Sequence, residues 1–266
     1  MKIKKRSLTG RSGSADDWIY GFNPLFEAIK AGRTIKKIFL SSGRREKVSE
    51  IKNEAAIRNI PVTIVEPAFL DNMFQKGHQG IAAAVLPKQA VLLDELFDIP
   101  SERNEIPFFL VLDCIEDPRN FGAILRVADA AGIHGIVVQS HRAATPSAEV
   151  AKVSAGALEY VPVAVVTNIK NAIRQMKERG IAIMGADAGA RQTIWDIDLS
   201  MPLALVVGSE GKGLRQTVSN LCDVLISIPM FGRINSLNVS VAASICSFEI
   251  LRQRDQKRKN FEDISR

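Results

Sequence analysis

The chain has 266 residues, 46% hydrophobic and 24% charged, the balance of an ordinary folded protein with room for one or two buried cores. A disulfide-stapled miniprotein and a disordered chain are excluded, and no apolar run approaches the ~20 residues of a membrane span. The net charge of +6 suits a polyanionic partner without requiring one, since surface solubility explains an excess of that size equally well.

The basic start carries Lys2, Lys4, Lys5, Arg6 and Arg11 but no apolar block behind them, so a cytoplasmic protein rather than a secreted one is expected. Residues 1–15 read as a solvated tail. A helix over 23–31, a strand over 37–40, a charged helix over 45–59 and short strands over 61–65 and 81–86 describe a small α/β unit spanning 16–88. The stretch 89–106 is acidic, with Asp94, Glu95, Asp98, Glu102 and Glu105 among prolines, and reads as a loop-like linker.

From 107 to 256 the alternation is regular. Strands are expected at 108–112, 136–139, 161–166, 181–184, 203–207 and 224–228, with helices at 120–131, 147–155, 168–179 and 214–219. Strands this rich in Val, Ile and Leu are buried on both faces, which predicts an α/β fold with a mostly parallel sheet flanked by helices. A last helix over 236–254 carries Leu237, Val241, Ile245 and Phe248 at helical spacing. Further apolar residues, Val239, Cys246, Ile250 and Leu251, lie off that stripe. Such a helix is either deeply buried or covered in part by a second subunit. Arg252, Arg254, Lys257, Arg258 and Lys259 then lead into a charged tail at 257–266.

Ligands of parallel α/β sheets bind beyond the carboxyl ends of the strands, and three strand ends here carry residues the fold does not need. The first is Asp113 to Arg126, where Asn120 is placed to cap a helix and Arg126 stands alone among Ala, Ile, Leu and Val. The second is Gly208-Ser209-Glu210-Gly211-Lys212-Gly213, which fails as a P-loop because Gly213 follows the lysine and Val206 replaces the leading glycine. Its glycines offer backbone N–H groups at close range, while Glu210 repels phosphate. The third is Ile228-Pro229-Met230 followed by Asn235, Ser236, Asn238 and Ser240, more polar residues than one N-cap at Ser236 explains. Cys114, Cys222 and Cys246 are too far apart for a disulfide framework or a zinc site. His78, His134 and His141 are scattered and suggest no hydrolase or metal centre, and His134, just before a buried strand, reads as structural.

The run Asp117-Pro118-Arg119-Asn120-Phe121-Gly122-Ala123 with Arg126, the glycine-rich turn at 208–213, and Ile228-Pro229-Met230 with Ser236-Leu237-Asn238-Val239-Ser240 together resemble the three signature motifs of the SpoU (TrmH) RNA 2′-O-methyltransferases. Gly21, Asn23-Pro24 and Gly77-His78-Gln79-Gly80-Ile81 resemble the small N-terminal module of the branch that modifies guanosine in 23S ribosomal RNA. The resemblance implies a C-terminal trefoil knot of the SPOUT type behind an RNA-binding α/β domain, and a homodimer. It also implies S-adenosylmethionine held by main chain at Gly208, Ile228 and Leu237, with Glu210 and Met230 close by.

Catalytic positions carried over from the resemblance are Asn120, Arg126, Glu210, Ser236 and Asn238. A guanidinium is protonated at neutral pH, so Arg126 is expected to stabilise the developing alkoxide or to anchor RNA, and the base is left unassigned. Asn120, Ser236 and Asn238 would position ribose and cofactor. Cys114 stands where the family commonly has glycine, without expected consequence. The alternatives are a tRNA ribose methyltransferase, a non-catalytic RNA-binding or ribosome-assembly factor, and a dinucleotide-dependent oxidoreductase, which the missing early glycine fingerprint disfavours.

Overall fold

Two sheets, of four and seven strands, organise the computed structural model, which describes residues 17–42, 46–74 and 77–264. The basic run at 1–15 lies outside the described residues. The first unit comprises β1 (Asp17–Tyr20), α1 (Phe22–Lys30), β2 (Ile35–Ser41), α2 (Glu46–Ile57), β3 (Val62–Val65), α3 (Pro67–Phe74) and β4 (Ile81–Val85). Its sheet runs β1-β4-β2-β3, with only β2 and β3 parallel.

Alternation sends Ile19, Ile38, Leu40, Ile81, Ala83 and Val85 into a core shared with Leu25, Ile29 and Ile51 of the helices. On the other face Trp18, Tyr20 and Phe39 meet Phe69 and Phe74 of α3. The Gly77–Ile81 motif is structural glue within this unit. The Gln79 Oε1 accepts the Phe22 N–H at 3.1 Å, satisfying the start of α1, and the His78 ring lies between the Gly80 N–H and Asp71 of α3.

The expected linker is a helix, α4 (Leu93–Arg103). Its acidic residues, which suggested a loop, occupy the first turn and the solvent side, where Glu95 accepts the Leu92 N–H at 2.7 Å. Leu96 is fully buried, pressed so close to Gly135 that a β-carbon there would lie 2.1 Å from it.

The second sheet is built from β5 (Phe108–Asp113), β6 (Gly135–Gln139), β7 (Val163–Val166), β8 (Ala182–Ala186), β9 (Gln192–Thr193), β10 (Leu203–Gly208) and β11 (Val224–Ser227). The order is β7-β6-β5-β10-β8-β11-β9, all parallel. Every residue of β5 and β10 is buried, as the sequence predicted for central strands covered on both faces. One layer contains α5 (Pro118–Ala130), α6 (Ala148–Val153) and α9 (Val239–Ile264); the other contains α4, α7 (Ile169–Glu178) and α8 (Gln216–Ser219).

Helix α9 differs from expectation in start, facing and end. It begins at Val239 rather than 236. Val239, Ala243, Cys246 and Ile250 face the core, whereas Val241, Ile245 and Phe248, the stripe singled out in the sequence, are exposed at 44, 37 and 47%. The charged end continues as helix to Ile264 instead of dissolving into a tail. Arg254 is anchored within it, donating at 2.8 Å to the carbonyls of Ile106, Pro107 and Met201, and Lys257 reaches the Ser200 Oγ at 2.8 Å. Burial draws the Arg254 guanidinium down to about 10.

The two units touch around Glu159, which follows α6. Its carboxylate pairs with Arg33 at 2.7 Å, its carbonyl accepts from Lys88 at 2.8 Å, and the neighbouring Tyr160 hydroxyl donates to Glu27 at 2.7 Å. Burial and the Glu27 carboxylate push the Tyr160 hydroxyl up to about 12.

Candidate active site

The chain leaves β5 toward β6 and β7 on one side, then crosses to build β10, β8, β11 and β9 on the other. The carboxyl ends of β5 and β10 are adjacent, with Gly208 opposite Asp113 in register, and this is where an open parallel sheet leaves a crevice. The turn after β10 folds back on itself: Ser209 and Gly213 exchange backbone hydrogen bonds of 3.1 and 2.9 Å. Only glycine fits at 208, because a β-carbon would sit 2.2 Å from the Gly213 carbonyl carbon and 2.3 Å from the Leu214 nitrogen.

Asp113 fixes this turn to the sheet. It is fully buried at the end of β5, accepts the Arg215 N–H at 2.9 Å and binds the Arg215 guanidinium at 2.6–2.7 Å. That pairing holds the Arg215 guanidinium above its ordinary range, against the opposing effect of burial. Arg215 also donates to Gln139 at the end of β6. Sequence reasoning missed this pair; the available signal was an aspartate ending an otherwise wholly apolar strand.

At the start of α5, Asp117 is the N-cap, accepting the Arg119 N–H at 2.8 Å, with Pro118 at the first helical position. Asn120 is therefore not the cap expected of it and sits inside the first turn. Likewise Ser236 does not cap α9. Asn238 does: its Oδ1 accepts from Ser240 N at 2.9 Å and from Ser240 Oγ at 2.6 Å. With its oxygen so held, the Asn238 amide must turn its Nδ2 the other way, where it donates to Asn120 Oδ1 at 3.0 Å and to Glu210 Oε1. Residues from all three motifs thus meet at one amide group.

Two clefts flank the 209–213 turn. One, of 430 Å³, lies between Gly208, Ile228, Met230, Ser236 and Leu237, with Glu210 at its edge. The other, of 640 Å³, is lined by Asn120, Glu210, Arg142 and Lys212. Glu210 and Lys212 border both. Of the carried-over residues, Asn238 and Arg126 line neither cleft; Asn238 is tied to the lining residues Asn120 and Glu210 by its hydrogen bonds, whereas Arg126 lies exposed on α5.

Cys114, where no consequence was expected, takes φ +60°, the left-handed region that disfavours a β-carbon. Burial is the main cause that raises its thiol, followed by the Asp113 charge. Cys222 and Cys246 are pushed up by burial to about 11 and about 12, so all three thiols are poor nucleophiles near neutral pH. His134 is buried and structural as expected, its Nδ1 taking the Phe108 N–H at 3.1 Å and its Nε2 2.9 Å from Glu105. Among the described residues no three His, Cys, Asp or Glu side chains cluster as metal ligands, and no helix is long and apolar enough to cross a membrane.

The sequence profile of the SpoU rRNA Methylase family matches residues 107–248, and that of RNA 2′-O ribose methyltransferase substrate binding matches 18–91. This chain belongs to the SpoU methylase family. A TrmH family tRNA/rRNA methyltransferase of Bacillus subtilis, YacO, is 43% identical over 243 residues, covering 90% of this chain and 96% of that protein. The SpoU methyltransferase AviRb of Streptomyces viridochromogenes, solved with AdoMet, superposes with a TM-score of 0.77 at 26% identity over 91% of each chain. The TrmH/SpoU tRNA modifying enzyme of A. aeolicus superposes at 0.53 with 28% identity, covering 62% of this chain and 83% of its own.

SpoU enzymes are RNA ribose 2′-O-methyltransferases that draw their methyl group from S-adenosylmethionine. The 430 Å³ cleft suits that cofactor, being within the size range of small-molecule sites and walled by Ile226, Ile228, Leu237 and Ala242. Gly208 and the main chain of the turn packed against it at Gly213 form part of its lining.

Proposed function

We propose that this SpoU enzyme methylates the ribose 2′-hydroxyl of a guanosine in 23S ribosomal RNA and works in the cytoplasm as a homodimer, serving ribosomal RNA processing. The convergence of Asn120, Glu210 and Asn238 on the border between two clefts carries the reading, since it puts polar groups where a donor on one side meets a hydroxyl on the other. A ribosomal target is favoured over tRNA because the tRNA-modifying neighbour leaves more than a third of this chain unmatched. The family profile over 107–248 is also one of rRNA methylases.

In this reading the main chain at Gly208, Ile228 and Leu237 grips the cofactor, Met230 covers it, and the segments around these residues are threaded as a trefoil knot. The bound sulfonium supplies a methyl carbon already activated toward attack. Asn238, locked by Ser240, holds Asn120 and Glu210 in place. Glu210 keeps a second carboxylate oxygen to accept from the ribose hydroxyl, and Ser236 and Asn120 orient the sugar, so the oxygen is presented in line with the methyl group. The exposed Val241, Ile245 and Phe248 form the subunit contact. Across it, Arg126 of one protomer supports the developing alkoxide in its partner's site.

Purified protein supplied with methyl-labelled S-adenosylmethionine should label 23S ribosomal RNA at one guanosine ribose, mapped by mass spectrometry. Transfer to tRNA alone would overturn the ribosomal assignment, and transfer to no RNA would overturn the catalytic one. Arg126→Ala should abolish transfer while leaving cofactor binding intact. Phe248→Asp should convert the dimer to a monomer in sedimentation; a wild-type monomer would refute the subunit contact.

A further inference from the structure

The larger cleft contains a feature that the three motifs do not account for. Arg142 lines it from the loop after β6, and Lys212 lines it from the 209–213 turn; both are exposed. Arg142 takes φ +55°, a backbone conformation that any side chain with a β-carbon resists. The loop is held in place by the Ala144 N–H, which donates to the Ile115 carbonyl at 2.7 Å. Glycine would occupy position 142 with less strain, and strain retained at a cleft wall points to a role for the side chain.

The charge pattern indicates what kind of ligand fits. Of the other charged residues lining the cleft, Arg215 is paired with Asp113 and Asp117 with Arg119. Arg142 and Lys212 then share the cleft with Glu116 and Glu210, a mixed arrangement that would not concentrate a small free anion. It suits a strand whose phosphates meet the cations while its sugar and base lie beside the carboxylates.

We propose that Arg142 and Lys212 bind the phosphodiester groups flanking the target nucleotide, so that the RNA strand crosses this cleft with its ribose at the Asn120–Glu210 border. The inference rests on the methyltransferase reading above and names two of its RNA-binding residues.

The test uses the full-length protein, with Arg142→Gly, Lys212→Ala and, as a control on α7, Arg174→Ala. Binding of a fluorescent ribosomal RNA fragment is measured by anisotropy over a salt series, alongside calorimetric titration with S-adenosylmethionine and thermal unfolding. Arg142→Gly and Lys212→Ala should each weaken RNA binding about tenfold and flatten the salt dependence by about 0.7 to 0.9 in log–log slope; cofactor affinity should be unchanged in Arg142→Gly, because Arg142 lines only the larger cleft, whereas Lys212 borders both. The KM for RNA should rise more than kcat falls. Arg142→Gly should also unfold at a higher temperature, which separates a strained binding residue from a structural one, and Arg142→Lys should recover most of the RNA affinity. Wild-type RNA affinity and slope in both variants would overturn the proposal, as would RNA loss accompanied by cofactor loss in Arg142→Gly. Anisotropy scores the clamp even if wild-type protein transfers no methyl group, so failure of the catalytic reading is seen separately.

Discussion

Gly208→Ala tests the construction of the cofactor cleft at its tightest point. The new methyl group would lie 2.2 Å from the Gly213 carbonyl carbon, 2.3 Å from its oxygen and 2.3 Å from the Leu214 nitrogen. Non-bonded carbons rest at ~3.5 to 4.0 Å, so the turn must retreat by more than about 1 Å. All three clashing atoms are backbone, and Asp113 holds the adjoining Arg215 in place, so no side chain can swing aside to absorb the change. Overpacking of this kind destabilises by about 1 to 3 kcal/mol. The retreat also removes main-chain groups from the cleft proposed for the cofactor, and a similar loss of binding energy lowers affinity about tenfold to a hundredfold. Urea unfolding and calorimetric titration with S-adenosylmethionine would measure both effects. A Gly208→Ala protein with wild-type stability and cofactor affinity would refute the reasoning.

Three further outcomes are expected. Arg215→Ala leaves the buried Asp113 carboxylate without its partner and should lower unfolding free energy by about 3 kcal/mol, near the bottom of the range for broken buried pairs because Arg215 is partly solvated; a change within error in urea melts would contradict this. Cys114→Gly relieves a left-handed backbone and should stabilise the fold by about 0.5 to 1 kcal/mol, after the greater freedom of glycine in the unfolded chain is subtracted; thermal unfolding would detect the change, and a lower melting temperature would count against it. Burial pulls the His134 imidazole below its ordinary range, with the Phe108 and Glu105 hydrogen bonds opposing. The unfolded chain therefore takes up this proton first as pH falls, so the contribution is intact above the ordinary imidazole range and is lost below it. Comparing urea stabilities at pH 7 and pH 5, wild type should lose more than His134→Gln, and equal losses would refute the assignment.

Much of the parallel sheet was legible because β10 is apolar throughout and β5 apolar up to its closing Asp113, a pattern that burial on both faces explains. Helix α4 was not, because its acidic solvent face and its internal Pro100 outweighed a decisive residue, Leu96, whose burial depends on a distant Gly135. Helix α3 buries only Leu70, too little for a helical period to register, and the four residues of β1 carried no strand expectation. On α9 the apolar surplus was visible, but the two apolar faces are equivalent in sequence, and only packing against α5 decides which is core. The candidate site was legible as motifs rather than as geometry. Asn120, Glu210 and Asn238 were named from the sequence, whereas their meeting at one amide depends on Asn238 capping α9, a task that had fallen to Ser236. Arg142 was invisible because its significance lies in a backbone angle.

The central claim is that the donor lies between the Gly208 turn and the 228–237 segment, aimed at the Asn120–Glu210–Asn238 cluster. A crystal structure of the protein with S-adenosylmethionine tests it most directly. The account predicts density for the cofactor in the 430 Å³ cleft, with its methyl group toward Glu210. Cofactor in the cleft beside Arg142, or a methyl group pointing away from those three side chains, would contradict it.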